Sequence, residues 1–543
     1  YDGESYETVV IEHVPEITPV ADLDTRQQAT IDVRVIQTRQ TGGPTLFRVT
    51  DGSGIAVASA YTAAGVRAYP LVEVGDVVRI SGEMEEHAGT HQLEVSSLER
   101  LDAEAAADVD AAIDAAIAEA ARPAVPDPLI EWPAFAPLYA ELAEVAEQLR
   151  RYILEGRPVV IRHHADGDGM CGAVPLEQAI RRFMTELYPD PETARHLLRR
   201  RPSKAPYYEL EDVTRDLQAA RAAQERHGQQ MPVLVMLDNG STEEDVPAYR
   251  HLAHYDVPTI VIDHHHPDPE AVDPLVDAHI NPYLHGEDYR ITTGMMSVEL
   301  ARAIEPTLTS EIQHIPAIAG LMDRSKDTTA MAAYRALAEE AGYAASDLRD
   351  VGEALDYLAY WLRYHHGAGM VESVLGVGET SERRQSDLVG FLAAEAAAAV
   401  DEQLTAIGDA YIERALSSGA RLVTVDLDAW THRFTYPPPG KTTGKLHDQL
   451  TTAVDEPVIT IGIGPDFAVM RSDGVRLDIP TMVEELAAEI AGGGVNGGGH
   501  LVVGSIKFVP GRRDEVITAL TAKMAEAPLD ADIGTRPQPH SAD

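Results

Sequence analysis

Between residues 28 and 101 apolar and polar side chains alternate in short runs. Ile31, Val33 and Val35 share one parity, as do Val78 and Ile80, then Leu93 and Val95. A period of two marks strands with one face buried. Gly- and Asp-type breakers separate the runs, so about five strands predict a small all-β barrel over residues 26–102. Residues 1–25 carry no period and read as a connector. The stretch 103–121, AEAAADVDAAIDAAIAEAA, has a helical pattern that stops at Pro123, with Pro126 and Pro128 behind it. Residues 103–134 therefore read as a helical linker.

The period then changes. A helical pattern from Leu138 to Ile153 leads into the apolar run PVVIRHH, and PVLVML, PTIVID and DAHI follow, spaced by helical stretches that end in GMMSVELARAI. Unbroken apolar strands alternating with helices predict a parallel sheet covered on both faces. After a long Ala-rich helical region, RLVTVDL, EPVITIGIG, FAVMRS and LVVGSIKFV interleave with TMVEELAAEI and predict a second, smaller α/β unit. The expectation is a multidomain α/β chain: barrel, parallel-sheet unit over 135–400, smaller unit over 401–515, and a tail over 516–543 that is disordered toward its end.

Three of the predicted strands run straight into acidic residues. PVVIRHHADGDG delivers His164, Asp166 and Asp168; PVLVMLDNG delivers Asp238; PTIVIDHHHP delivers Asp263, His264, His265 and His266. Ligands of open parallel sheets bind beyond the carboxyl ends of the strands. One such Asp is commonly a turn former or helix cap, but three strands ending this way would crowd carboxylates that need cations to coexist. Mixed carboxylate and imidazole donors suit Mn²⁺, with Mg²⁺ a second choice. Two such ions at a shared carboxylate are the arrangement of two-metal phosphoryl chemistry. A lone cysteine, Cys171, excludes a disulfide framework and a Cys-based zinc site and reads as small core packing. PPPGKTTGKL lacks the spacing of a P-loop, which leaves Lys441 and Lys445 at most as backbone-phosphate contacts. No apolar run is long enough to span a bilayer and no secretory signal is visible, so a cytoplasmic protein without a membrane partner is expected.

The formal charge is −44, and only six of the 44 basic residues are Lys. A strongly acidic, Lys-poor surface suits a cytoplasm at molar salt, where the Debye length falls to about 3 Å. Adaptation to molar salt is the expectation, and the charge then no longer argues against a polyanionic substrate.

Two resemblances sharpen the picture. TLFRVTDGSG followed by VEVGDVVRISGEM resembles an oligonucleotide-binding OB-fold, in which Phe47 and Tyr61 are the stacking candidates. His164–Gly169 (HADGDG), LDNG at Asp238, the Asp263–His265 run and AGLMDRS at Asp323 follow the order of the DHH phosphoesterase motifs. GGGVNGGGH at 492–500 resembles the GGGH signature of the DHH-associated domain, and VMRSDG carries Arg471 and Ser472 where that domain contacts substrate. NPY at 281 and TTGMMS at 292 are similar to RecJ segments, and the leading barrel resembles the archaeal RecJ-like arrangement.

The resemblance implies a parallel-sheet DHH catalytic domain followed by a DHH-associated domain. It implies a metal-dependent phosphodiester hydrolase, a RecJ-like exonuclease on single-stranded DNA or RNA, in which water activated by two metals attacks phosphorus. Asp166 and Asp168 would ligate separate ions, Asp238 would bridge them, His264 would bind one ion and Asp323 would complete the site. His265 would support the site or touch phosphate, and Asp263 would hold the imidazoles. His164 stands nearest the first-ligand position, although some branches carry that His four residues before the first Asp, where this chain has Arg162. Arg471, Ser472, Gly497, Gly498, Gly499 and His500 would hold substrate. His266 would be structural or exposed. The same site could instead serve a small-nucleotide phosphoesterase, or the chain could be a replication-complex scaffold related to Cdc45. The resemblance also admits GINS-type replication partners or repair partners.

Overall fold

The computed structural model describes residues 16–87, 89–378, 382–452, 456–499 and 501–534. Strands β1 (Gln28–Gln40), β2 (Thr45–Thr50), β3 (Ile55–Ala60), β4 (Val77–His87) and β5 (Thr90–Arg100) close into a barrel in the order β1-β2-β3-β5-β4. The expected parity holds: Ile31, Val33, Val35, Val78, Ile80 and Leu93 fill its interior. Phe47 faces inward with them and is fully buried. It is not a stacking candidate, because its place in TLFRVT gives it the same parity as the buried Thr45 and Val49. Tyr61 stays 65% exposed. Residues 16–25 are not a free connector: the Thr18 N–H donates to Thr30 O, and Val20 enters the barrel core. The rest of that stretch lies outside the described residues.

The helix Ala103–Ala121 is not a free linker either. Ile113, Ile117 and Ala121, four residues apart, pack on Leu154. Arg34 of β1 holds Asp110 at 2.6 Å and Asp114 at 2.9 Å. The same stretch thus welds the barrel to the next unit, through an apolar stripe narrow enough to read as mere Ala-rich helix.

The central sheet comprises β6 (Val159–His164), β7 (Leu198–Ser203), β8 (Val233–Leu237), β9 (Thr259–Ile262) and β10 (Ala278–Ile280), in the order β10-β9-β8-β6-β7 and parallel throughout. Helices Ala136–Leu154, Gly167–Leu187, Thr293–Ile304 and Ile315–Met322 share the large core on one face. Helices Leu210–His227 and Val246–Ala253 cover the other. The chain leaves β6 for β7 on one side and returns to β8 on the other. The crevice between the ends of β6 and β8 is therefore the topological switch point where such sheets bind ligands.

The second sheet holds β11 (Ile412–Ala415), β12 (Arg421–Asp426), β13 (Val458–Ile463), β14 (Phe467–Val475), β15 (Asn496–Gly499), β16 (Val503–Lys507) and β17 (Leu529–Gly534). The expected boundary at 400/401 falls inside the continuous helix Glu382–Ile407, whose Val389 joins the central core and whose Ile407 joins the second. The tail expected from 516 is folded as far as 534. Helix Arg513–Glu526 buries Val516, Leu520 and Met524 at four-residue spacing, and β17 pairs with β14. Residues 535–543 lie outside the described residues. Across the junction of the two units, Arg324 pairs with Asp448 at 2.8 Å, Lys441 with Glu353 and Asp356 at 2.6 Å, and Lys445 with Glu353 at 2.7 Å. Among the described residues no helix is long and apolar enough to cross a membrane.

Candidate metal centre

The three acidic strand ends converge as their register dictates. Asp166 caps the helix Gly167–Leu187 and accepts the Gly169 N–H at 3.0 Å. Asp168, in the first turn and fully buried, accepts the N–H groups of Thr293 (2.8 Å) and Gly294 (2.9 Å), which open the helix Thr293–Ile304. Gly294 permits this approach, since a Cβ there would stand 2.7 Å from Asp168 Oδ1. Asp238 follows β8 with φ at +59°, a conformation that Asp tolerates better than most residues. Its N–H still reaches Ile262 O, which fixes the carboxylate at the strand tip.

Beyond β9, Asp263 accepts the backbone N–H groups of His264 and His265 and lies 2.8 Å from His265 Nδ1. His264 Nδ1 lies 3.0 Å from the Tyr289 carbonyl, which places its proton there and frees Nε2. That Nε2 stands 3.0 Å from Asp323 Oδ2, 3.3 Å from Asp238 Oδ1 and 3.7 Å from Asp168 Oδ2. On the β6 side, His164 Nδ1 is 3.0 Å from Asp166 Oδ2 and 3.4 Å from Asp238 Oδ2.

Three donor sets follow: His164, Asp166 and Asp238; Asp168, Asp238, His264 and Asp323; and Asp238, His264 and His265, each with donor atoms within 4.8 Å. Asp238 belongs to all three. Burial, with Asp323 and Asp238 beside it, pushes the Asp168 carboxyl well up, and burial with Asp166 beside it raises Asp238. Burial opposes charging His264, but Asp238 and Asp323 outweigh it and hold the ring's pKa well above its usual value. His164 Nδ1, Asp238 Oδ2 and Asp263 Oδ2 are buried with no well-aligned hydrogen bond. Buried carboxylates and imidazoles, aimed at each other and incompletely bonded, fit divalent cations.

The other expected site residues divide. Asp263 stands outside the donor sets and orients His265, whereas His265, expected to support the site or touch phosphate, joins one set. Arg162 is buried against Asp212 and Asp216, so a cation occupies the position where some family branches carry the first His. His163 turns aside to His164 O, and burial beside Arg200 pushes its pKa down to about 3. His266 is exposed and lies 5.2 Å from the Tyr283 ring. Cys171 is buried in the core.

In the second unit, Arg471 sits against Gly444 within electrostatic reach of Asp323 and Asp356. Ser472 is buried with its hydroxyl donated to Val475 O, so its side chain serves the strand. Gly497 and Gly499 have φ of +150° and +149°, and a Cβ on them would meet backbone oxygens of Ser505 and Val503 at 2.2 and 2.3 Å. They let β15 lie against β16, and Gly498 alone of the three faces open space. His500 lies outside the described residues. Lys441 and Lys445 are engaged by Glu353 and Asp356.

Residue types alone did not single out Thr293 and Gly294 as the anchors of Asp168. Nor did they single out Asn281, whose Nδ2 donates to His265 O at 2.9 Å. The Thr292 cap ahead of an apolar run was the legible signal for the first.

A family model for an OB-fold nucleic acid binding domain matches residues 29–101, and one for the DHH family, N-terminal domain, matches 158–322. The uncharacterized protein MJ1198 of Methanocaldococcus jannaschii is 39% identical over 507 residues, spanning 89% of this chain and 67% of its own length. This chain belongs to the DHH family. Among solved structures, the DHH domain of PF0399, described as a member of a family of ribosomal proteins, is 37% identical with a TM-score of 0.74, over 78% of this DHH chain and 99% of that one. RecJ from Thermus thermophilus in complex with Mn²⁺ is 16% identical with a TM-score of 0.47, over 78% of this chain and 60% of that one.

Proposed function

We propose that this DHH protein is a metal-dependent exonuclease acting on single-stranded DNA or RNA. The observation that carries the reading is Asp238, a buried carboxylate on a strained backbone shared by three donor sets. Two divalent ions held there, Mn²⁺ before Mg²⁺ because imidazoles contribute, would supply a readily deprotonated water and neutralise charge at phosphorus. Asp166 with His164, and Asp168 with His264 and Asp323, would hold them on either side of Asp238.

The chain's own groups do the rest. Helix N-terminal N–H groups hold the Asp168 carboxylate in place for an ion, whose charge would keep it ionised. With Nδ1 held by Asp263, His265 keeps Nε2 for holding or passing a proton at a phosphoryl oxygen. Arg471 brings a positive charge from the second unit toward the same region. The barrel favours a strand over a small nucleotide, because its matched family binds nucleic acid. The acidic, Lys-poor composition is read as adaptation to molar salt. The test is a timed product ladder from end-labelled DNA and RNA in Mn²⁺ and near-molar KCl. Stepwise shortening, abolished by Asp238→Asn, is expected; full activity of that variant overturns the two-metal reading.

A further inference from the structure

The chain holds only 7 Phe and 3 Trp, so a gathering of exposed aromatic rings is conspicuous. Trp361 is 48% exposed, Tyr364 46%, Trp430 49% and Phe434 84%. Two come from the end of the helix Ala345–Leu362 and just beyond it, and two from the segment after β12. The buried Tyr436 ties these pieces together, its ring 5.0 Å from Tyr357 and 5.8 Å from Tyr360. Guanidinium groups lie among the rings: Arg363 is 4.3 Å from the Tyr360 ring and 5.9 Å from Trp361, and Arg433 is 5.2 Å from Phe434.

The backbone adds a second, independent sign. Arg363, Tyr364 and Phe434 have φ of +49°, +68° and +61°. For Arg363 this is the left-handed cap that ends the helix Ala345–Leu362, whereas Tyr364 and Phe434 are bulky residues that rarely adopt that region. Here it holds two aromatic rings in water, against both backbone preference and the hydrophobic effect.

The position is as telling as the composition. In the same helix, Gly352 packs against Met322, the residue before Asp323. Trp361 lies nine residues further on, or about 13 Å along the axis. Between them Asp356 binds Lys441 at 2.6 Å and lies within electrostatic reach of Asp166. The rings therefore stand about two and a half turns of helix from the Met322 contact, and Trp361 lies on the opposite face of that helix.

We infer that Trp361, Tyr364 and Phe434, with Arg363 and Arg433, form a platform outside the metal centre on which bases of a single strand stack. This rests on the nuclease reading above. Every base has a π-face, so such a platform tolerates any sequence, and guanidinium planes extend it. Stacking also meets a need that the charge creates. Phosphate contacts lose affinity steeply as salt rises, and a chain with 88 acidic side chains to 44 basic ones gives a polyanion no net attraction. Face-to-face contact with bases needs neither. The barrel, with Phe47 buried, brings only Tyr61 of its two stacking candidates to the surface.

The test measures binding by the full chain in EDTA, where no cutting occurs, at about 0.1 and 1 M KCl. The probes are a dye-labelled oligothymidine and an abasic strand of equal length. Phe434→Leu and Trp361→Leu should each weaken oligothymidine binding roughly 5- to 150-fold, the range for losing one stacked base, at both salt concentrations. They should leave abasic binding unchanged, and Phe434→Tyr should restore affinity. Phe434 is too exposed for its substitution to disturb the core, and unchanged thermal melting checks this. Wild-type affinity in both leucine variants overturns the platform, as do equal losses on the abasic strand, which would mark a contact made by something other than bases. A protein that binds strands through these rings but cuts none in Mn²⁺ leaves the platform standing and removes the nuclease. Cutting with normal binding in the variants does the reverse.

Discussion

Asp238→Asn separates the electrostatics of the metal centre from its fold. Asn keeps the volume and tolerates the left-handed backbone at this position. It removes one of several charges whose donor atoms lie within 4.8 Å of one another. At that separation and an effective dielectric of 20, each carboxylate pair costs about 3 kcal/mol. The His164 and His264 rings, held protonated by the same acids, offset part of this. The metal-free variant should therefore be more stable than wild type by about 1–2 kcal/mol, a rise on the order of 5 °C in the melting of the central unit. Saturating Mn²⁺ at a hundred times its dissociation constant stabilises wild type by about 3 kcal/mol, and the variant should lose most of that. Thermal melts of both proteins in EDTA and in Mn²⁺ measure all four states. A variant that melts earlier in EDTA yet keeps the full Mn²⁺ shift would refute the idea that Asp238 is a shared ligand within a repelling cluster.

Three further outcomes follow from contacts outside the ligands. His314 is buried, stacked on Tyr343 at 4.3 Å and bonded to Leu375 O, and burial lowers its pKa to about 4. Its folded pKa is depressed, so its contribution is present above the unfolded value of about 6.5 and is lost as pH falls toward 4. Urea melts should lose about 3 kcal/mol over that window, less in His314→Gln; an unchanged pH slope in the variant rejects this. Gly294→Ala would press a methyl against Asp168 Oδ1 and the Ala319 Cβ. Calorimetric titration should show Mn²⁺ affinity reduced about 10- to 100-fold, and wild-type affinity would mean that Asp168 is not held by that helix. A double-mutant cycle on Arg324 and Asp448 should give a coupling of about 1 kcal/mol in the melting of the second unit; zero coupling would show that the pair does not hold the junction.

The parts of this structure legible from residues alone are those governed by period and by strand ends. Alternation placed the barrel strands, apolar runs placed the parallel sheet, and Asp directly after such runs placed the cluster, because a strand end fixes where its next side chain must lie. Function assigned by motif fared less evenly. The glycines at 497 and 499 lie where a Cβ would collide with the neighbouring strand, and a glycine run looks the same whether it meets a phosphate or a backbone. Ser472 belongs to a matching dipeptide but spends its hydroxyl on Val475. The helix at 513–526 went unread because three apolar residues four apart are easily masked by charged and Ala neighbours. Long-range partners such as Asp168 with Gly294 leave no local trace, since nothing near either residue names the other.

The cations of this chain are placed in a way that bears on how it could bind a polyanion. Of its six lysines, Lys441 and Lys445 are engaged across the junction between the central and second units by Glu353 and Asp356, and Lys507 reaches Tyr207 on the far side. A phosphate would have to displace a carboxylate at 2.6 Å to reach Lys441, and although burial opposes its charge, Asp356 and Glu353 outweigh burial and hold the amine protonated. These lysines hold the walls of the cleft. Positive charge for substrate must then come mainly from arginine, from Arg471 near the metal centre and from Arg363 and Arg433 among the exposed rings, and from the ions that the carboxylates gather. Contacts made through charge weaken with salt. A strand long enough to be shortened stepwise must be held between turnovers by something that salt does not screen. The described surface offers that in the rings between Trp361 and Phe434, beside the helix that packs against Met322 and the metal centre.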